Sequence, residues 1–414
     1  MLLPAPSAHS AHWALDPKVC FLNHGSFGAT PRAVLASQDR LRAQMEAEPI
    51  RFFVEEFDDL MDISRRALAD FVGCNWTDIA PILNATVAVA TVVESLVDSG
   101  YIAPGDEILI NEHEYPACQN NIRRAARRAG AHVLTSSIPF PCPKPAAAAE
   151  AILSKVTSKT RLVLVSHVTS PSGLILPVRS IVEELNGRGI LSLVDGAHAP
   201  GMVPDLDITS LKPSFYTANC HKWICSPKGS AFLYVREDLQ RDIRPLALSN
   251  NAEKPKPGRP QFLTEFDFQG TADYTSFMSI PAAISFMNAL LPGGFAAVMK
   301  HNHELCIAGR NLICNKLSIT PPAPDEMIGS ISTVILPDWM GPVPQRITKY
   351  HDATQDDLLH RYGIQVPLWG IPTSPARYMR ISAQLYNTLE QYEYLASCLL
   401  DLHKSLAPPN AFRL

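Results

Sequence analysis

The chain has 414 residues, 46% hydrophobic and 18% charged, with 36 basic against 40 acidic side chains and a formal net charge of −4. These proportions belong to a folded globular protein and exclude a disordered or collagen-like chain, and the length implies two to three units of about 150 residues each. They also speak against a nucleic-acid surface, which needs a clustered basic face.

The N-terminal stretch MLLPAPSAHSAHW has neither a basic leader nor a continuous apolar run, so it does not read as a signal peptide. Residues 1–50 form an N-terminal arm, in which NHGSFG (23–28) reads as a tight turn. NAT (84–86) opens an apolar helix over 87–97; Glu94 interrupts it, so it is a buried helix and not a membrane span. EILIN (107–111) is a strand, followed by a helix opened by Pro116. That helix carries Arg123, Arg124, Arg127 and Arg128 at the spacing of a solvated face. AHVLT (131–135) comes next, then an alanine-rich helix and RLVLVSHV (161–168). A helix opened by Pro177 leads to ILSLVD (190–195), and FYTAN (215–219) and SAFLYV (230–235) complete the set. Continuous β-branched and leucine runs separated by helices mark strands covered on both faces, the pattern of an α/β fold with a mostly parallel, doubly wound sheet. This α/β unit spans 51–278, with a loop at SNNAEKPKPGRPQF (249–262). A smaller C-terminal α+β unit spans 279–414 and contains the strand STVILP (332–337).

Nine scattered cysteines without a CxxC pair point to reduced thiols and a cytoplasmic setting. His301 and His303 in HNHE stand at a spacing that does not put both rings on one helical face, so no metal is expected.

Three strand ends carry conspicuous groups. Asp195 ends ILSLVD in the phrase DGAH, HVTSPSG (167–173) follows RLVLVS, and Lys222 follows FYTAN in NCHKW. Ligands of open α/β sheets gather beyond the carboxyl ends of the strands, and this set meets the demands of pyridoxal 5′-phosphate (PLP). Its aldehyde needs a lysine amine, for which Lys222 is the candidate. Its pyridine nitrogen needs a carboxylate to stay protonated, here Asp195. Its phosphate suits a helix start with spare backbone N–H groups and a hydroxyl, offered by NAT (84–86), with Thr86 as the hydroxyl and Ala85 beside it. The α-carboxylate of an amino-acid substrate suits the planar fork of Arg380, in RISAQLYNT.

With DGAH at 195–198 and the lysine of HKW at 222, and with likeness running from FLNHGSFGATPRAVL (21–35) to RISAQLYNT (380–388), the chain resembles the class V aminotransferase family of fold-type I PLP enzymes. Within it, the likeness is to the isopenicillin N epimerase-like branch. The resemblance implies Lys222 as the Schiff-base lysine, Asp195 as the pyridinium partner, and His198 against the ring's phenolic oxygen. It assigns Thr86 and His221 to the phosphate, with Asn219 beside them, and puts Ser170 where relatives contact the ring oxygen. Arg380 would bind the substrate carboxylate, and His24 could touch substrate at the entrance. HEYPAC (113–118) matches the segment that covers the ring, with Tyr115 first and His113 second as the covering residue, and the Tyr115 phenol as a proton donor or acceptor. Gly270 and Thr271 resemble the segment that reaches the neighbouring subunit's phosphate, which implies a homodimer with shared sites. RYGIQVPLWG (361–370) has no cysteine where desulfurases of this class carry one, which argues against a persulfide relay. The expected activity is amino-acid epimerisation, with β-eliminating C–S lysis as the alternative and transamination or a non-catalytic PLP-binding module ranked below.

Overall fold

Runs of valine, isoleucine and leucine alternate their side chains between two faces of a strand, so a run that is apolar throughout needs cover on both sides. In the computed structural model, which describes residues 2–341, 343–370 and 376–406, that cover is present. The strands in chain order are β1 (Cys20–Phe21), β2 (Ile79–Ile82), β3 (Glu107–Asn111), β4 (His132–Ser136), β5 (Thr160–Ser166) and β6 (Leu191–Asp195). They continue with β7 (Phe215–Asn219), β8 (Ala231–Val235), β9 (Ile331–Ile335), β10 (Ile364–Gln365), β11 (Leu368–Gly370) and β12 (Arg377–Ser382). Among the described residues the main sheet has seven strands in the order β2-β8-β7-β6-β5-β3-β4. Strands β7 through β4 are parallel, and β8 runs antiparallel to both neighbours. Val163, Val165 and Tyr216 face one apolar core, whereas Leu162, Leu164 and Phe215 face the other. The chain is thus of the α/β class with a mostly parallel sheet, as its sequence pattern predicts.

The second face is covered by the helix Ala85–Asp98, which packs against the helix Pro116–Ala129. Beyond residue 279, β11, β12 and β9 form a separate antiparallel sheet, against which the long helix Gly294–Leu317 lies. Near the N-terminus β1 pairs in parallel with β10, so residues 20–21 are tied to residues 364–365. Residues 407–414 of that unit lie outside the described residues. Among the described residues no single helix is long and apolar enough to cross a membrane, although the bent pair Thr275–Ala289 and Gly294–Leu317 meets the length and composition criteria together.

Candidate active site

Sheet winding reverses at β3: β4 lies on one side of it, and β5, β6 and β7 follow on the other. Where the order reverses, the crossover connections leave in opposite directions and open a crevice beyond the strand ends. A cavity of about 880 Å³ occupies this crevice, and Lys222, Asp195 and His198 all line it.

Asp195 ends β6 and is buried. Its Oδ1 accepts the Ala197 N–H at 2.9 Å, and the Cys118 thiol donates to Oδ2 at 3.5 Å. Burial raises its pKa, opposed by the Ala197 hydrogen bond and the Lys222 charge. No ion pair engages this carboxylate among the described residues, so the crevice presents a buried acid with room for a cationic ring nitrogen beside it.

Lys222 follows β7, and burial, with the nearby Arg380 charge, pushes its amine down to about 7. Its Nζ lies 3.1 Å from His198 Nε2, and the Trp223 indole N–H donates to His198 Nδ1 at 3.4 Å. A neutral imidazole whose Nδ1 accepts carries its proton on Nε2, so His198 presents a donor to Lys222, which then accepts as the free amine. Burial holds the His198 pKa well below its ordinary value, which keeps that ring neutral. A free amine is the form that attacks an aldehyde. The rate at which cofactor-free protein captures added PLP is therefore expected to climb about tenfold per pH unit below the lysine pKa and to level off above about 7. Stopped-flow absorbance measures it, and a midpoint near the ordinary lysine value of 10.5 would contradict it.

The helix Ala85–Asp98 starts at the cavity wall. Asn84 caps it by accepting the Val87 N–H, and Asn219 at the end of β7 accepts the Ala85 N–H, both at 3.0 Å. The Thr86 N–H and hydroxyl are left without a partner among the described residues, beside the positive end of the helix dipole, which suits a phosphate. His221 lines the same wall, its Nδ1–H donating to the Ser230 carbonyl at 3.0 Å. Asn219 thus acts on the helix start.

Arg380 is buried on β12 and lines the cavity from the other unit. Its guanidinium donates to the Ser170 carbonyl at 2.7 Å, the Ser170 hydroxyl at 3.2 Å and the Ser26 hydroxyl at 2.9 Å, and lies 4.8 Å from the centre of the Trp369 ring. Its Nε has no partner, and burial lowers its pKa to about 10. A buried guanidinium without a carboxylate is costly; here it marks a place for an external anion. Ser170, which the sequence places toward the ring oxygen, is engaged with Arg380.

Tyr115 follows β3 and lines the cavity, 46% exposed. His113 does not reach the cavity lining. It is fully buried, with Nδ1 at 2.7 Å from the Ser172 hydroxyl, its ring edge-on to Phe140 and its Nε2 without a partner among the described residues. His24 also lies outside the lining, buried with both ring nitrogens bonded to protein. Gly270 and Thr271 line a neighbouring cleft of about 250 Å³ that shares Leu83 and Gly229 with the main cavity.

Sequence reasoning missed Glu114. This fully buried carboxyl accepts from the Ser166 N–H at 2.9 Å, meets the Ser166 hydroxyl at 2.5 Å, and accepts from the Asn111 amide; burial raises its pKa to about 8. Trp223 and Ser26 were also missed. Their partners lie far along the chain, so only their place in HKW and NHGSFG was visible.

A partly buried amine, a buried carboxylate and an open helix start around one switch-point crevice define a PLP-dependent enzyme of the fold-type I architecture. A family model described as Aminotransferase class-V matches residues 22–395, and the chain belongs to that family; PLP is its cofactor. It is 32% identical to isopenicillin N epimerase of Amycolatopsis lactamdurans, over 94% of this chain and 97% of that one. It is 27% identical to a probable chloroplastic L-cysteine desulfhydrase of Arabidopsis thaliana, over 94% and 83%. Among solved structures, a mutant of C-DES with glycine covalently linked to the PLP cofactor superimposes with a TM-score of 0.77 at 20% identity, covering 95% of this chain and all of that one.

Proposed function

We propose that this enzyme inverts the α-carbon of an amino acid, as an epimerase of the isopenicillin N epimerase kind. The carrying observation is that Arg380, a buried cation with an unpaired Nε, shares one cavity with the Lys222 amine and the half-exposed Tyr115 phenol. PLP, when bound, supplies the electron sink that makes an α-proton removable. Asp195 and Lys222 would hold it at the ring nitrogen and the aldehyde, the Thr86 N–H and hydroxyl would receive the phosphate with His221 on the same wall, and His198 would offer its Nε2–H to the phenolic oxygen; the Ala85 N–H is already given to Asn219. Arg380 grips the substrate carboxylate and so fixes the α-carbon within reach of Lys222, which as a free amine takes the α-proton. Inversion needs a second proton donor, and Tyr115 supplies it. The similarity to the Amycolatopsis epimerase along nearly the whole chain supports the same reading.

Gly270 and Thr271 line an open cleft that shares Leu83 and Gly229 with the cavity wall, and with the family resemblance of this segment they support a homodimer in which it completes the neighbour's phosphate site. Phe27 and Leu83 on the cavity wall, 74% and 62% exposed, give that contact apolar surface. Nine cysteines without a disulfide suit a reducing, cytoplasmic setting. None of them lines the cavity, and residues 371–375, outside the described set, are IPTSP, so a persulfide relay has no thiol to use.

The second reading is β-elimination. The same Lys222 can release a β-thiol without a second acid, and the likeness to the Arabidopsis desulfhydrase favours it. NMR of candidate amino acids in deuterated water separates the two: loss of the α-proton signal with mixed chirality is the expected result, and ammonia with pyruvate would replace it. A keto acid would instead indicate transamination, and inertness toward every amino acid a non-catalytic PLP-binding module. Tyr115→Phe is expected to slow inversion by about 10²- to 10³-fold, the worth of one positioned acid, while exchange of the α-proton by Lys222 continues. Equal loss of both would remove Tyr115 from this role.

A further inference from the structure

His24 is fully buried, on the four-residue helix His24–Phe27, whose neighbours Asn23, Ser26 and Phe27 line the cavity. Its Nε2 lies 2.9 Å from the Lys222 carbonyl oxygen and its Nδ1 lies 2.8 Å from the Tyr386 hydroxyl. A carbonyl can only accept, so Nε2 carries the proton and Nδ1 takes the Tyr386 O–H. The Cys225 N–H donates to the same Lys222 carbonyl at 3.1 Å, so both its lone pairs are engaged. The arm presses on this peptide at a second point. Gly28 has φ +68°, and a Cβ there would stand 2.0 Å from the His221 carbonyl oxygen and 3.0 Å from the Lys222 Cα. At its other end the short helix holds the substrate side, because Ser26 accepts from Arg380 at 2.9 Å.

We infer that His24 is a positioning residue for Lys222: by clamping the Lys222 carbonyl it fixes the root of the lysine side chain and so aims the amine, with Tyr386 setting the donor tautomer. A lysine has four rotatable side-chain bonds, and an unanchored root would spread its amine over many positions. Burial holds His24 neutral, its pKa lowered to about 3, so the donor is unchanged across the working range. The groups facing it are the Trp223 ring at 4.8 Å, the Cys225 thiol at 3.7 Å, and the Lys222 and Lys228 charges, which oppose its protonation further. The inference rests on Lys222 being the cofactor lysine and is independent of which reaction follows.

The test uses the full-length protein stripped of cofactor. Rate and pH midpoint of PLP capture are followed by absorbance, with kcat and KM measured after reloading. His24→Leu removes the donor. It is expected to slow capture about tenfold, the loss of one of the two hydrogen bonds that hold the Lys222 carbonyl, to shift the pH midpoint, and to lower kcat more than it raises KM. His24→Gln carries an amide N–H at nearly the same place and is expected to restore capture to within about threefold of the parent. Tyr386→Phe leaves the ring free to choose its tautomer and is expected to fall between them. If His24→Leu captures cofactor at the parent rate and midpoint, or if His24→Gln is as impaired as a folded His24→Leu, the positioning role is wrong. Should His24→Leu fail to fold, the Gln and Phe variants decide: parent-like Gln with a shifted midpoint in Tyr386→Phe supports the role, and any other pair overturns it. Failure of Lys222→Ala to abolish capture would instead sink the assignment of the cofactor lysine, a separable result.

Discussion

Replacing Lys222 by alanine is expected to reduce turnover by at least about 10⁴-fold, because one side chain both anchors the cofactor and moves the α-proton. Two roles lost together exceed the effect of any other single change at this site. Stability should not fall with activity. Lys222 is partly buried, and desolvation, with the nearby Arg380 charge, pushes its amine down to about 7, so the folded chain disfavours its charged form. Removing it relieves an unfavourable burial, while the backbone contacts of its carbonyl to His24 and Cys225 remain. The melting temperature of cofactor-free Lys222→Ala is therefore expected to equal or exceed that of the parent. A dead variant that also melts well below the parent would mean that Lys222 is structural. A variant that still exchanges α-protons in deuterated water would move the catalytic base elsewhere.

The second large effect is at Arg380. Its guanidinium is buried against Ser170, Ser26 and the Trp369 ring, with Nε unpaired, so a substrate carboxylate would complete its fork. Truncating a desolvated charge partner costs about 2–5 kcal/mol of binding, so Arg380→Leu is expected to lower kcat/KM by about 30- to 5 × 10³-fold, mostly through KM. Arg380→Lys should recover little, because a point charge on a flexible stem cannot reproduce a planar fork held by three partners. Steady-state kinetics with the preferred amino acid decides the matter. A lysine variant close to the parent would show that charge alone is read there. Arg380→Leu also removes a charge that lowers the Lys222 pKa, so its midpoint for cofactor capture should rise, whereas Arg380→Lys keeps the charge and should capture cofactor nearly as the parent does.

Several strands were legible because their residues leave little choice. EILIN and FYTAN coincide with β3 and β7, since short apolar runs ended by polar groups cannot be satisfied as surface helices. β2 was missed for an equally local reason. Its sequence IAPI contains Pro81, which cannot donate to a ladder, and it is tolerated only because β2 sits at the sheet edge against β8. The edge position is a property of the assembled sheet. Within the site, the strand-end residues Asp195 and Lys222 were readable from DGAH and HKW, whereas the partners of Arg380 were not. Ser26 and Ser170 lie 354 and 210 residues from it, and no periodicity connects them.

His113 and His24 are two residues whose surroundings only the tertiary structure describes. Both are histidines in glycine- or acid-rich turns near the cavity, and both read as residues that could face cofactor or substrate. The turn after β3 places the Tyr115 ring in the cavity and His113 behind it, and the arm folds under Lys222 so that His24 meets the lysine backbone. The amino-acid order by itself determined the α/β class, the amine and carboxylate at strand tips, and the helix start beside them, because those follow from short-range patterns of apolar runs and capping residues. Which side chains reach the cavity, what holds Arg380, and how Tyr386 and His24 bear on Lys222 were decided only by the tertiary structure, because these contacts join segments up to several hundred residues apart and depend on the angle at which each turn leaves its strand.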